Sequence, residues 1–149
     1  MRDTERSSVT LIQPQDRNLH GKAFGGLLMR LAFELAFVTC ASFASHPMRF
    51  LSLDQISFKL PVPIGAILHL DAKVVKTTPD KAHVMVTAQV EDVTSGTRKT
   101  TNDFYFSFAA EDAELHKTVI PQTYQEAMQF LEGGRRLEVA AAIRRLYKA

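Results

Sequence analysis

The sequence has little of the chemistry that clusters of cysteine and histidine provide. It holds one cysteine, Cys40, and no tryptophan among 149 residues. A single cysteine excludes an intramolecular disulfide and any zinc site built from several thiolates, and it fits a reducing, intracellular compartment. The five histidines are scattered and form no metal-binding helical pair. We therefore expect no metal site built from clustered cysteines or histidines.

The chain also lacks an excess of charge of either sign. Its 18 lysines and arginines stand against 16 acidic residues, which leaves a net charge of +2. Residues 1–120 hold thirteen of each sign, so the whole surplus lies in the tail that begins at Pro121. A nucleic-acid-binding protein concentrates basic residues on one face, so nucleic acid is not an expected partner. The 46% hydrophobic content and the length fit one globular domain.

Only residues 24–44 approach the length of a membrane span. They contain Arg30 and Glu34, and each central charge costs about 2.5–3.5 kcal/mol on insertion, whereas a leucine returns only about 0.3–0.6 kcal/mol. The start of the chain mixes both charge signs, unlike a signal peptide. We expect no membrane span.

Motifs for a serine hydrolase elbow, a P-loop or a dinucleotide site are also absent from the sequence.

The hydrophobic pattern predicts an α+β fold. Residues 8–13 have the pattern of a strand, and residues 24–43 that of a helix so apolar on all sides that protein should surround it. Four long strands should follow as an antiparallel meander, the first with a bulge at Asp54-Gln55. A curved sheet wrapped around one long central helix satisfies both patterns. Residues 124–131 and 137–146 predict two further helices, separated by Gly133-Gly134.

The loop that enters the long helix carries the candidate chemistry. Gly25 and Gly26 allow a ligand to approach the backbone, and unpaired amides at a helix start can polarise a carbonyl as an oxyanion hole does. The alternative is that the two glycines only let the helix pack tightly. Asn18 could orient water or a carbonyl, or be an ordinary turn residue. His20 has no identified partner for proton transfer.

Glu34 is the second candidate. A carboxylate in an apolar helix is costly to bury unless it is paired, and burial would make it a stronger base. Arg30 precedes it by four residues on the same helix face, so an ion pair is an equally good explanation.

Taken together, the residues of this loop and of the helix that follows resemble a known sequence motif. The stretch N-x-H-G-K-A-F-G-G-L-L-M-R-x-A-F-E-L-A, residues 18–36, resembles the helix-entry motif of hotdog-fold acyl-CoA thioesterases. It is most similar to the C-terminal hotdog of the mitochondrial acyl-coenzyme A thioesterase 9 family, which carries two hotdogs in one chain. The similarity continues through residues 53–68, 100–108 and 121–136, and so covers most of the sequence.

The resemblance implies a hotdog domain in residues 1–120 and a helical C-terminal extension in residues 121–149. It also implies hydrolysis of acyl-CoA to free fatty acid and CoA, at an interface between two hotdog units and without a cofactor. The partner would be a second copy in a homodimer or a separate hotdog domain. The location would be the mitochondrial matrix in a eukaryote and the cytoplasm otherwise.

Site roles follow from the resemblance by position. Asn18 matches the loop asparagine, the Gly26 amide matches the oxyanion donor, and Glu34 would be the general base or nucleophile. Related thioesterases carry an aspartate at the position of Phe33, and Glu34 lies one place later, a rotation of about 100°. The substrate-binding residues would be Phe24, Gly25, Arg98, Thr100, Thr101 and Asn102. Phosphates of CoA could be met by Arg49, Lys59, Arg98 or Lys99.

Two other functions remain open from the sequence. A non-catalytic hotdog half could serve dimerisation or acyl-CoA binding, with Glu34 neutralised by Arg30. An enoyl-CoA hydratase on the same fold tends to use an aspartate and a histidine near the helix, where only His20 is available.

Overall fold

The computed structural model describes residues 4–13, 15, 25–45, 47–53, 56, 60–110, 121 and 123–148. Five strands and two helices lie within these ranges. In chain order they are β1 (Arg6–Leu11), α1 (Gly25–Ala44), β2 (Met48–Leu53), β3 (Ile67–Thr77), β4 (Lys81–Asp92), β5 (Thr97–Ala110) and α2 (Tyr124–Lys148).

The strands form one antiparallel sheet in the order β1-β3-β4-β5-β2. The hairpins β3–β4 and β4–β5 confirm the neighbours predicted from short connections. The prediction of a meander is wrong for β2, which pairs with β5 at the far edge of the sheet, where Phe50 lies opposite Phe108. Short connections force strands to be neighbours, but residues 54–66 are long enough to carry the chain across the sheet.

The edge strand β2 carries an irregularity that the sequence analysis does not predict. The register with β5 shifts between Phe50 and Ser52, so Leu51 is the extra residue of a bulge. The predicted position, Asp54-Gln55, lies outside the described residues.

Helix α1 packs on the concave face of the sheet through a narrow, small-residue face. Ala32, Ala36 and Cys40 are fully buried at i, i+4 and i+8, in one hydrophobic core with the inward-facing residues of β3, β4 and β5. The prediction that protein surrounds the helix is wrong within this chain, because Phe37 and Val38 remain 38% and 51% exposed. By length and composition α1 could cross a membrane, but its buried face makes the contacts of a core helix.

Helix α2 packs on the opposite, outer face of the sheet. It is one continuous helix, so the prediction of two helices is wrong. Thr123 caps its start, because its Oγ1 accepts a hydrogen bond from the amide of Glu126 at 3.1 Å. A Cβ at Gly133 would lie 3.0 Å from Val75 Cγ2, so this glycine permits close contact with β3 instead of breaking the helix.

His83 is fully buried where α2 crosses β4. Its Nδ1 lies 3.1 Å from Ser107 Oγ, and its ring stacks on Tyr105 with centroids 5.7 Å apart. The guanidinium of Arg136, on α2, lies 3.8 Å from the centre of the Tyr105 ring. Burial, assisted by the charge of Arg136, lowers the pKa of His83 to about 4. The imidazole is therefore neutral under physiological conditions.

The two glycines of α2 provide a matched pair for testing how closely the helix docks. A Cβ at Gly134 would meet only ordinary contacts, the nearest at 3.5 Å on Lys76. Gly134→Ala should raise the free energy of unfolding by about 0.5–1 kcal/mol, since alanine favours the helix. Gly133→Ala should raise the free energy of unfolding by less than this, or lower it, because the added Cβ would lie too close to Val75 and to the Cβ of Lys76. Chemical denaturation measures both, and equal gains would contradict close docking at Gly133.

Acid should weaken the fold through His83. The folded-state pKa of His83, about 4, lies below its ordinary 6.5, so the unfolded chain takes up the proton first as the pH falls. The contribution of the neutral His83 side chain to the free energy of unfolding is intact above about pH 6.5. It declines as the pH falls toward 4, by about 3 kcal/mol in total. The free energies of unfolding of the wild type and of His83→Gln, measured across this pH range, test the role of His83. The variant should lose that part of the pH dependence, and an unchanged slope would contradict the assignment.

Candidate functional site

The start of α1 lies at the Asn102 end of β5. Phe33 contacts Phe106 and Phe37 contacts Phe108, so the helix and the strand run in the same direction. From Phe33 back to Gly25 the helix covers about 12 Å, and β5 covers about 13 Å from Phe106 back to Asn102. The first turn of α1 and the buried Asn102 therefore lie at the same end of the concave face.

This helix start has the properties of a site for a polarised oxygen. Gly25 is the first helical residue, and both Gly25 and Gly26 are half-buried. Amides in the first turn of a helix have no partner within the helix and carry the positive end of its dipole. Asn18, His20 and Phe24, which the sequence places just before this turn, lie outside the described residues.

Two polar residues of β5 are buried near this end. Thr101 is 1% exposed and its hydroxyl donates to the carbonyl of Ala88 at 3.4 Å, while Asn102 is fully buried opposite Ala88. Polar side chains are costly to bury without hydrogen bonds. Their presence among valines and phenylalanines thus marks this end of the sheet as chemically distinct from the remaining core.

The structure divides the predicted substrate strand between two faces. Thr101 lines a cavity of about 250 Å³ together with Lys99, which is exposed beside it. Thr100 instead lines a cavity on the outer face and accepts a hydrogen bond from Gln89 at 3.4 Å. Arg98 is exposed and shares the Thr100 face by strand alternation. The same alternation, applied to the sequence, would have grouped Lys99 with Thr101 and separated both from Arg98.

Glu34 lies on the side of α1 that faces away from the sheet. Its side chain is 62% exposed, and Arg30 Nε lies 3.9 Å from its Oε1. An exposed pair at this distance contributes little to stability, so Arg30 does not neutralise the carboxylate in a buried environment. Glu34 is solvent-facing because α1 buries only one face within this chain.

Phe33 occupies a cluster of phenylalanines between α1 and the edge strand β2. Its ring lies 5.3 Å from that of Phe50, edge to face, and 6.1 and 6.4 Å from the rings of Phe106 and Phe108. The position at which related thioesterases carry an aspartate is therefore apolar here. Glu34, one residue further along the helix, is not directed into this cluster.

Other catalytic chemistries find no support in the described part of the chain. No group of three or more histidine, cysteine, aspartate or glutamate side chains converges there to hold a metal ion. Burial raises the pKa of the Cys40 thiol to about 12, so this side chain is not a nucleophile.

The chain is similar in sequence to known acyl-coenzyme A thioesterases. No family model matches the chain. It is 37% identical to the mitochondrial acyl-coenzyme A thioesterase 9 of Mus musculus over 135 residues, which cover 91% of this chain and 30% of the mouse protein. It is 36% identical to the chloroplastic acyl-coenzyme A thioesterase 2 of Humulus lupulus over 155 residues, covering 96% and 35%. The chain thus spans about a third of the length of these curated relatives.

Solved structures share the fold. The acyl-CoA hydrolase of Staphylococcus aureus, in complex with butyryl coenzyme A, coenzyme A and coenzyme A disulfide, superimposes with a TM-score of 0.91 at 26% identity, covering 99% of this chain and 93% of that chain. A hexameric thioesterase from Yersinia pestis gives a TM-score of 0.65 at 25% identity, covering 70% and 85%. These superpositions confirm the fold predicted from the sequence.

Proposed function

Because this chain is a hotdog-fold relative of the acyl-CoA thioesterases, we propose that it hydrolyses acyl-CoA to a free fatty acid and CoA. The observation that carries the proposal is the placement of the Gly25-Gly26 helix start at the polar end of the concave face, on a backbone that superimposes on a hydrolase solved with CoA. Water adds to the acyl carbon, the carbon–sulfur bond breaks, and the thiolate of CoA takes up a proton. CoA enters as part of the substrate, and the proposal needs no metal or redox cofactor.

The helix start would stabilise the charge that develops on the thioester oxygen. The amide of Gly26, assisted by that of Gly25, would donate to this oxygen as it becomes negative. Without a Cβ at either position, the substrate carbonyl can reach the backbone. Phe24, immediately before the helix, would contact the acyl group.

Glu34 would be the general base or nucleophile, with Asn18 orienting the water or the substrate carbonyl. Within one chain Glu34 faces solvent, so a second hotdog unit is needed to cover it and complete the site. The exposed apolar side chains of Phe37 and Val38 on α1, and of Phe50 on β2, offer the surface for that unit. A homodimer or a separate hotdog domain would fit, and the hexameric relative supports assembly beyond one unit.

The CoA arm would run along β5 toward the helix start. Lys99 and Thr101 share one cavity, and Asn102 follows toward Gly25. The cation at Lys99 would meet the phosphates, and Thr101 and Asn102 would lie beside the pantetheine. Arg98 and Thr100, on the other face of the strand, would contribute from its rim.

The cluster around Phe33 favours a second candidate, a hotdog half that binds acyl-CoA or a partner unit without catalysis. The aromatic side chain occupies the position of the relatives' aspartate. In that case a partner unit would supply the carboxylate, and this chain would provide the helix start.

We also propose the mitochondrial matrix as the location if the source is a eukaryote, and the cytoplasm otherwise. The mitochondrial name of the mouse relative supports the first, although the hop relative is chloroplastic.

Thiol release from short-, medium- and long-chain acyl-CoAs tests the catalytic assignment. Glu34→Gln and Asn18→Ala should each lower kcat by about 10²-fold or more, because each removes a group that acts on the reacting atoms. Glu138→Gln, which removes an exposed carboxylate on α2, should retain full turnover. Full turnover in both site variants would refute these roles. A wild type that binds CoA without releasing thiol would establish the non-catalytic candidate.

The phosphate assignment is tested through KM. Lys99→Ala should raise KM by about 5- to 30-fold with little change in kcat, as expected for the loss of a charge-assisted hydrogen bond of about 1–2 kcal/mol. Arg145→Ala, at the exposed end of α2, is the matched control and should leave KM unchanged. A larger increase in Arg98→Ala than in Lys99→Ala would place the phosphates on the opposite face of β5.

A further inference from the structure

Five phenylalanine side chains meet where the middle of α1 faces the edge strand β2. The ring of Phe33 contacts the rings of all the others, and its shortest contact is with Phe50 on β2, at 5.3 Å between centroids. The other rings in contact lie 6.0–6.5 Å apart. The members of this phenylalanine cluster are Phe33 and Phe37 of α1, Phe50 of β2, and Phe106 and Phe108 of β5. The cluster thus joins α1 to the sheet at its β2 edge.

The helix start and the phenylalanine cluster lie on the same side of α1. Phe33 follows Gly26 by seven residues, which places it two turns along the helix, about 10 Å away and within about 20° around the axis. Side chains of a helix lean toward its N-terminus, so the ring of Phe33 lies nearer to the helix start than its own Cα does. A chain that begins at the Gly26 amide and follows this side of α1 therefore meets the ring of Phe33.

Phe33 and Phe50 block the direct route between α1 and β2. Their rings stand edge to face, with an angle of 88° between the ring planes, and at 5.3 Å between centroids such rings are in direct contact. Behind them, Phe106 and Phe108 are buried. Phe37 and Phe50 remain 38% and 43% exposed on the side that a second hotdog unit would cover. This chain therefore supplies the closed end of an apolar pocket, and the second unit would supply its cover.

The distance from the helix start to the cluster corresponds to a limited number of carbon atoms. Three bonds of an extended chain span at most about 3.6 Å, which is about 1.2 Å per bond. A path of about 10 Å, shortened by the lean of the ring, accommodates about six to eight bonds. A longer straight acyl chain would overlap the ring of Phe33. Displacing that ring would break its contacts with Phe50 and with β5, which stabilise the fold.

We propose that Phe33 sets the upper limit of acyl-chain length, so that the substrates are acyl-CoAs of up to about eight carbons. This inference rests on the proposed hydrolysis at the helix start. Phe33 is a specificity-determining residue, because its ring meets the end of the acyl chain and takes no part in the reaction at the thioester. Phe50 holds that ring in position from β2.

Thiol release from butyryl-, octanoyl-, dodecanoyl- and palmitoyl-CoA, each below its micellar concentration, tests this limit. In the wild type, kcat/KM should fall by about tenfold or more between octanoyl-CoA and dodecanoyl-CoA, as expected for a pocket that excludes further methylene groups. Phe33→Ala should raise kcat/KM for dodecanoyl-CoA by about tenfold or more and leave that for butyryl-CoA within about twofold. Phe43→Ala is the matched control and should keep the wild-type profile, because Phe43 lies ten residues further along α1 and packs against the core.

A second variant keeps the test decisive if Phe33→Ala loses its structure. Phe33→Leu retains an apolar side chain in the cluster and should raise kcat/KM for dodecanoyl-CoA by a smaller factor, with the circular dichroism spectrum of the wild type. Equal wild-type values of kcat/KM for octanoyl-CoA and dodecanoyl-CoA would overturn the limit and leave the proposed hydrolysis intact. Unchanged chain-length profiles in the Phe33 variants would do the same.

Failure of the proposed hydrolysis gives a different result. A wild type that releases no thiol from any of these substrates refutes the hydrolysis, and the dissociation constants of the same four acyl-CoAs, measured by calorimetry, then test the limit. Affinity should fall between octanoyl-CoA and dodecanoyl-CoA in the wild type but not in Phe33→Ala. Equal affinities in the wild type, or no binding, would overturn the role of Phe33.

Discussion

The close contact between the alanine face of α1 and the concave sheet determines how the rest of the molecule is arranged. Ala32 and Ala36 have no side chain beyond Cβ, so the helix lies close to the inward-facing residues of β3, β4 and β5. Their burial fixes the rotation of the helix about its axis. Once the rotation is fixed, every other residue of α1 has a determined direction relative to the sheet.

The chemistry depends on that rotation. Residues 33 and 34 are separated by about 100° around the helix, which directs Phe33 toward β2 and Glu34 toward solvent. The same rotation presents Phe37 and Val38 at the surface. The proposed carboxylate and the uncovered apolar surface thus share one side of the helix, so any protein that covers one will enclose the other.

The sequence predicts the positions of the elements whose hydrophobic residues repeat with a clear period. Alternation located β3, β4 and β5, and the unbroken apolar run located α1 to within a residue at each end. The neighbour of β2 was missed because a long connection leaves several pairings open. The continuity of α2 was missed because Gly133 is a contact point with Val75, which only the packed structure reveals. For the site, the sequence pattern identified Gly25, Gly26 and Glu34. The burial of both Thr101 and Asn102 could not be predicted, because simple alternation exposes one of two neighbouring residues and the register between β4 and β5 shifts at Ala88 and Gln89.

The close approach of α2 to β3 at Gly133 also limits insertions and deletions in the first part of this helix. Thr123 caps the start of the helix, and Gly133 lies where an added Cβ would be only 3.0 Å from Val75 on β3. An insertion or deletion of one residue between them would rotate the remainder of the helix by about 100°. A residue with a side chain would then take the place of Gly133 beside Val75. Substitutions on the outer side of this segment are tolerable by comparison, so the spacing between cap and glycine is under tighter constraint than the residues within it.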